Sequence, residues 1–180
     1  MKLLREDCVA VAIDYQEKLV PVMHEKERLL QKSAMLLQGL GLLDVPVLET
    51  RQYPKGLGET VPEIVAAMKV PVTLDKMAFG CCDDEGFMAA LRATGKKTVI
   101  LCGIESHVCV LQTLIALKEL GYTPVLVADC VSSRSPVDLK FALKRARDEG
   151  AVVTTAESLL FELLRVAGGD TFKAISKLVK

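Results

Sequence analysis

Six short apolar runs recur along the chain: Val9 to Ile13, Val45 to Leu48, Val70 to Leu74, Thr98 to Cys102, Pro124 to Ala128 and Ala151 to Val153. None alternates polar with apolar residues, so each predicts a strand covered on both faces, as in a parallel sheet. Pro46, Pro71 and Pro124 stand at run starts, where a missing N–H costs least. The segments between the runs carry helix punctuation. Glu25 to Gln38 passes from charged to apolar and is expected to end at Gly39. Thr60-Val61-Pro62-Glu63 reads as a capping box with proline inside the first turn. Asp83 or Asp84 can cap a helix that stops at Gly95, and Ser106 one that runs through Leu120 to Gly121. Ser135-Pro136-Val137-Asp138 opens a helix ending before Gly150, and Thr154-Thr155-Ala156-Glu157 opens the next.

Strand and helix alternate throughout. The expected class is α/β: a three-layer αβα arrangement around a doubly wound, six-stranded, mostly parallel, Rossmann-like sheet. No repeat, linker or low-complexity stretch interrupts it, so residues 1–180 are read as a single domain long enough to bury a sizeable core.

Charge and composition remove several functions. Lys plus Arg equals Asp plus Glu, 23 each, so no global field attracts nucleic acid, and the few aromatics form no stacking ladder. The first eight residues carry four charges and no apolar core of a secretory signal, and no apolar run approaches the ~20 residues that span a bilayer. The six cysteines form no CxxC and only His24 and His107 could join them on zinc, so no metal or cofactor is expected. Cysteines beside apolar runs read as buried small hydrophobes in a reducing, cytoplasmic compartment. Half of the chain is apolar (51%) and mean hydropathy is +0.32, which fits burial between subunits and an expected homo-oligomer.

In an open α/β sheet, ligands gather beyond the carboxyl ends of the strands. The polar residues there are Asp14-Tyr15-Gln16, Glu49 to Tyr53, Asp75-Lys76 with Phe79 to Cys82, Gly103 to Cys109, Asp129, and Thr154-Thr155. With Ser106 as cap, Cys109 falls in the first turn of its helix, where free N–H groups and the helix dipole would lower its thiol pKa; otherwise it is a packed core thiol. Asp14, at the end of an apolar strand, needs a partner, a catalytic task or a capping role. Lys76 either pairs with an anion in a cleft or is solvated. His107 lies two residues from Cys109, a spacing that does not face it on a helix. Gly56-Leu57-Gly58 lacks the rest of a phosphate loop, and Lys140, Lys144, Arg145 and Arg147 spread around a solvated helix face.

At these residues the chain resembles the isochorismatase-like cysteine hydrolases, nearly end to end. The resemblance is carried by Asp14 and Gln16, by Thr50 to Gly58 with its Gln52-Tyr53-Pro54-Lys55-Gly56-Leu57-Gly58 ending, and by Lys76 with Phe79. Gly103-Ile104-Glu105-Ser106-His107-Val108-Cys109-Val110 and Thr155-Ala156-Glu157-Ser158 complete it. The nearest branch is the short isochorismatase-domain proteins of largely unassigned substrate. The resemblance implies an Asp14, Lys76 and Cys109 catalytic group acting on an amide-like C–N bond of a small molecule through a thioester. It implies oxyanion donors at the Glu105 and Cys109 backbone N–H groups, a cis peptide between Ile104 and Glu105, and pocket candidates Gln16, Tyr53, Phe79, Cys81 and Ile104. Nicotinamidases of this superfamily carry an Asp-x-His metal site after the second strand, whereas Arg51-Gln52-Tyr53-Pro54 has neither residue. True isochorismatases lack the nucleophilic cysteine. Two other readings stay open: an idle oligomeric scaffold, and a thiol redox protein using Cys81, Cys82 and Cys109.

Overall fold

The computed structural model describes residues 1–180. Strands β1 (Cys8–Ile13), β2 (Val47–Gln52), β3 (Val72–Lys76), β4 (Thr98–Ile104), β5 (Thr123–Ser132) and β6 (Val152–Thr154) form one sheet in the order β3-β2-β1-β4-β5-β6. Every strand pair is parallel, so the sheet is wholly rather than mostly parallel. Helices α1 (Lys26–Leu42), α2 (Pro54–Leu57), α3 (Pro62–Val65), α4 (Glu85–Ala93), α5 (Leu111–Glu119), α6 (Pro136–Asp148), α7 (Ala156–Leu164) and α8 (Gly169–Leu178) connect and follow them. The strand order reverses between β1 and β4, which makes their carboxyl ends the switch point where such folds place ligands.

β1 shows why this sheet needs two covered faces. Cys8, Ala10 and Ala12 face a core shared with α1, α7 and α8, while Val9, Val11 and Ile13 face a second core with α4 and α5. All six are buried. β3 departs from the two-faced expectation: it is the edge strand, and Val72, Thr73 and Asp75 are exposed.

Several local expectations yield to packing. The strands run two to four residues past the apolar runs at β2, β3, β4 and β5, because neighbouring strands still pair there: Gln52 lies opposite Lys76 and Ile104 opposite Ser132. Helix α1 does not stop at Gly39. A Cβ there would lie 2.5 Å from Leu160 Cδ2, so the glycine lets α7 pack against the last turn of α1. The proposed capping box is not made. Val61 precedes α3, and the Thr60 hydroxyl donates instead to the buried Glu49 carboxylate. Asp84 caps α4 through Phe87 N–H and Ser135 caps α6 through Asp138 N–H, as the sequence suggests. Thr155 caps nothing; the Asp129 carboxylate accepts from Ala156 N–H at 2.8 Å in its place. The basic residues of α6 are exposed, with Lys144 and Arg145 paired to Asp148 and Glu149.

All six cysteines are free and five are buried. Burial, with smaller effects from neighbouring charges, raises Cys8 and Cys81 to about 11 and Cys102 to about 12, against an ordinary 9.0. Unfolded chains ionise these thiols at lower pH than folded ones. Stability is therefore full below about pH 9 and lost as pH rises toward about 11–12. Each such thiol contributes a slope approaching about 1.4 kcal/mol per pH unit in that window. Thermal melts from about pH 8 to about pH 11 should show a steep fall in Tm above about pH 9, and a flat profile would contradict the buried thiols.

Candidate functional site

Asp14 follows the last residue of β1 with a left-handed backbone (φ 54°), which turns the chain at the strand end. Its neighbours fix it from two sides: the Tyr15 hydroxyl donates to Cys130 O at 2.8 Å and meets Ser33, and the Gln16 amide clamps β2. Gln16 donates to the carbonyls of Gln52 and Gly58 and accepts from Gln52 N–H. With its side chain fully buried and occupied by backbone, Gln16 holds the β1 and β2 ends together and does not line a cleft as expected.

The carboxylate of Asp14 is wholly buried. Its Oδ1 accepts from Thr50 Oγ1 at 2.8 Å, and its Oδ2 accepts from Lys76 Nζ at 2.7 Å. Lys76 is only 3% exposed, so it is no solvated strand-end lysine. Its ammonium also reaches Gln52 Oε1 at 2.8 Å and the carbonyls of Ala78 and Phe79 at 3.2 and 3.1 Å. Burial alone would lower the Lys76 pKa, but the Asp14 carboxylate, and the Cys81 and Cys109 sulfurs once ionised, outweigh it and hold it above the ordinary lysine value.

Cys109 sits 7% exposed within a single π-helical turn, Ser106–Val110, that leads into α5. Such turns interrupt helices often at functional sites. Ser106 does not cap this turn, because its hydroxyl is taken by the buried Ser133 hydroxyl, which also meets His107 Nδ1 at 2.8 Å. The thiol is not lowered as a capped helix start would lower it. Burial and the negative charge of the Asp14 carboxylate push it up to about 12 against the opposing charge of Lys76. The Ile104–Glu105 peptide is cis. The Glu105 carboxylate accepts from Arg134 N–H and Nε.

Asp14, Lys76 and Cys109 thus come together, with Cys81 beside them. Cys81 Sγ lies 4.0 Å from Thr50 Oγ1, and Thr113 joins the two cysteines by accepting from Cys81 N–H and donating to Cys109 O. Cys82 is half-buried, with its thiol 3.9 Å from the Thr113 carbonyl. Ile104 is fully buried, while Tyr53 and Phe79 are exposed. Tyr53 lines a cleft of about 560 Å³ with Lys76, Met77 and Asp83, next to the buried cluster. No group of three or more His, Cys, Asp or Glu side chains is placed to hold a metal ion. No helix is long and apolar enough to cross a membrane.

Thr50, Gln52 and Thr113 complete the cluster, in roles that no local feature of the sequence announces. Periodicity alone connects them to the cluster: Thr50 and Gln52 share one face of β2, and Thr113 lies one helical turn after Cys109.

Residues 8–158 match the family model described as the isochorismatase domain. The zebrafish (Danio rerio) isochorismatase domain-containing protein 2 is 39% identical over 179 residues, covering 99% of this chain and 89% of the relative. The solved structure titled MAR1 ribonuclease from Caenorhabditis elegans superposes with a TM-score of 0.93 at 34% identity, covering 99% of this chain and 92% of that one. YcaC from Pseudomonas aeruginosa, solved with hexane-2,5-diol and covalent acrylamide, superposes at 0.92 with 25% identity, covering 98% and 91%. With the family model spanning most of the sheet and a relative this similar over nearly its whole length, the chain belongs to the isochorismatase family and is a hydrolase of that family.

Proposed function

We propose that this hydrolase cleaves an amide-like C–N bond of a small molecule through a thioester on Cys109. The observation that carries the reading is the buried Lys76–Asp14 ion pair, 2.7 Å long, whose two charges both act on the Cys109 thiol beside it. A neutral thiol needs a base when substrate arrives, and Asp14 is that base. The sulfur bonds to the carbonyl carbon as its proton passes to Asp14, and Lys76 offsets the charge that builds up. The oxyanion is held by the N–H groups of Glu105 and Cys109. The Glu105 N–H makes no hydrogen bond within the chain, which leaves it free for that purpose. Asp14 then protonates the leaving amine and the C–N bond breaks. Water loses a proton to Asp14 as it attacks the thioester, and the carboxylic product leaves with the thiol restored.

The exposed Tyr53 and Met77 lining the cleft and the exposed Phe79, with the apolar composition, support a homo-oligomer. The free, mostly buried thiols support a reducing, cytoplasmic setting. The test is a screen of small amides and amidines against wild type and Cys109→Ala, with RNA as a further arm because the nematode relative is described as a ribonuclease. We expect turnover of a C–N substrate that Cys109→Ala abolishes. No turnover of any substrate, as in an idle scaffold, turnover indifferent to Cys109, as in an RNA-cleaving site elsewhere, or a reversible Cys81–Cys109 disulfide that accompanies redox cycling, would overturn the reading.

The same chemistry predicts metal independence. Divalent-ion catalysis needs about three protein ligands around an open position, and the strand end that could supply them offers Arg51, Gln52, Tyr53 and Pro54. Prolonged EDTA treatment should leave turnover and Tm unchanged. Activity lost on chelation and restored by zinc or manganese would reopen a metal-dependent mechanism.

A further inference from the structure

The Lys76 ammonium has three protons and four oxygen neighbours, and only one of these, Asp14 Oδ2, carries charge. The Ala78 and Phe79 carbonyls belong to the turn that follows Lys76, so they move with it. Gln52 is different. It lies on β2 in register with Lys76, it is 8% exposed, and its Nε2 donates to Met77 O at 2.8 Å. That donation fixes the orientation of the amide and turns Oε1 toward the ammonium. A carboxylate in this place would compete with Asp14 for the same cation and would face the Met77 carbonyl with no proton to give. An apolar side chain would leave the ammonium free to settle on the two turn carbonyls.

We propose that Gln52 is a positioning residue whose amide oxygen holds the Lys76 ammonium between Asp14 and Cys109 without adding a charge. The inference rests on reading Asp14, Lys76 and Cys109 as the reacting cluster. The charged or titratable groups facing the ammonium are Asp14 from the end of β1, Cys81 from the turn before α4 and Cys109 from the turn before α5. Gln52 is the neutral side chain among them. Through Lys76 it sets how much positive charge the Cys109 sulfur meets.

The test needs no substrate. Wild type, Gln52→Glu, Gln52→Met and Lys76→Met are treated with iodoacetamide at about pH 9 to 10, and alkylation of the Cys109 peptide is timed by mass spectrometry. Well below the thiol pKa the rate follows the thiolate fraction, so an upward shift of one unit reads as about tenfold slower reaction. Lys76→Met, which removes the cation, should be slower by about tenfold or more. Gln52→Glu, which partly cancels the cation, and Gln52→Met, which lets it drift, should each be slower by roughly threefold or more. Melting curves of each variant separate this from loss of structure, since a loosened site exposes the thiol and speeds alkylation. Unchanged or faster alkylation in the folded Gln52 variants, with Lys76→Met slow, would overturn the positioning role whatever their Tm. An unchanged rate in Lys76→Met would instead overturn the coupling of Lys76 to Cys109 on which the proposed mechanism rests.

Discussion

Asp14→Asn should lower turnover by about 10²-fold or more while making the Cys109 thiol more acidic. Asparagine keeps the shape of the buried side chain, and its amide oxygen can still accept from Lys76. It cannot take a thiol proton or return one to a leaving amine. At the same time the thiol loses the nearest anion that raises its pKa, while the Lys76 ammonium keeps its amide and carbonyl acceptors. Cys109 should therefore alkylate about tenfold faster or more at about pH 8, even as catalysis fails. This pairing of effects separates a general base from a merely structural carboxylate. An active Asp14→Asn protein would remove Asp14 from the mechanism. Slower alkylation would show that the carboxylate does not oppose the thiolate, against the geometry of the cluster.

Gly103→Ala should be the most damaging single substitution at the sheet's centre. Gly103 has φ 128°, a conformation that L side chains rarely adopt, and it lies opposite Ile13 in the β1–β4 ladder. An added Cβ would sit 2.1 Å from Ile13 O and 2.7 Å from Ile13 N. Nothing there can turn aside, because the obstruction is the backbone of a strand buried on both faces. Backbone strain of about 1–3 kcal/mol and overpacking of about 1–3 kcal/mol add in the same direction. The expected loss is therefore about 3 kcal/mol or more, measured by denaturant unfolding. Asp14 follows Ile13 directly, so the proton acceptor is displaced along with the strand. A variant with wild-type stability would show that β1 and β4 can separate at their carboxyl ends, and the rigid frame assumed for the cluster would be wrong.

The chain's legibility was uneven for identifiable reasons. Asp14, Lys76 and the Gly103 to Cys109 segment stand out because a polar residue at the end of an apolar strand needs a partner, and that need is visible without coordinates. Which partner is visible only through the family resemblance, not from the residues themselves: Lys76 is 62 residues from Asp14 in sequence, and the β3-β2-β1-β4 order is what brings them together. Gln16 was misread because its amide could serve substrate or backbone equally well until the β2 end was in place. Ser106 was misread because a serine before a helix usually caps it, whereas here the buried Ser133 takes the hydroxyl. The lowered thiol pKa expected of a capped helix start is reversed with it, because burial and the Asp14 carboxylate act on the sulfur more strongly than the turn does.

By itself the sequence determined the alternation of strands and helices, the two-sided burial of the central strands, a cap at Asp83 or Asp84, the Ser135 cap and the strand ends that bear the chemistry. Each of these depends on residues a few positions apart, where periodicity, β-branching and capping act directly. The tertiary structure decided the rest: that Gly39 is a packing site for Leu160 and no helix stop, that Lys76 is buried against Asp14, that Gln52 faces the ammonium, and that Cys109 is held as a neutral thiol. Those outcomes turn on groups brought together from distant segments, and at such short range inside a dry core a single charge outweighs the local preference of the turn that carries it.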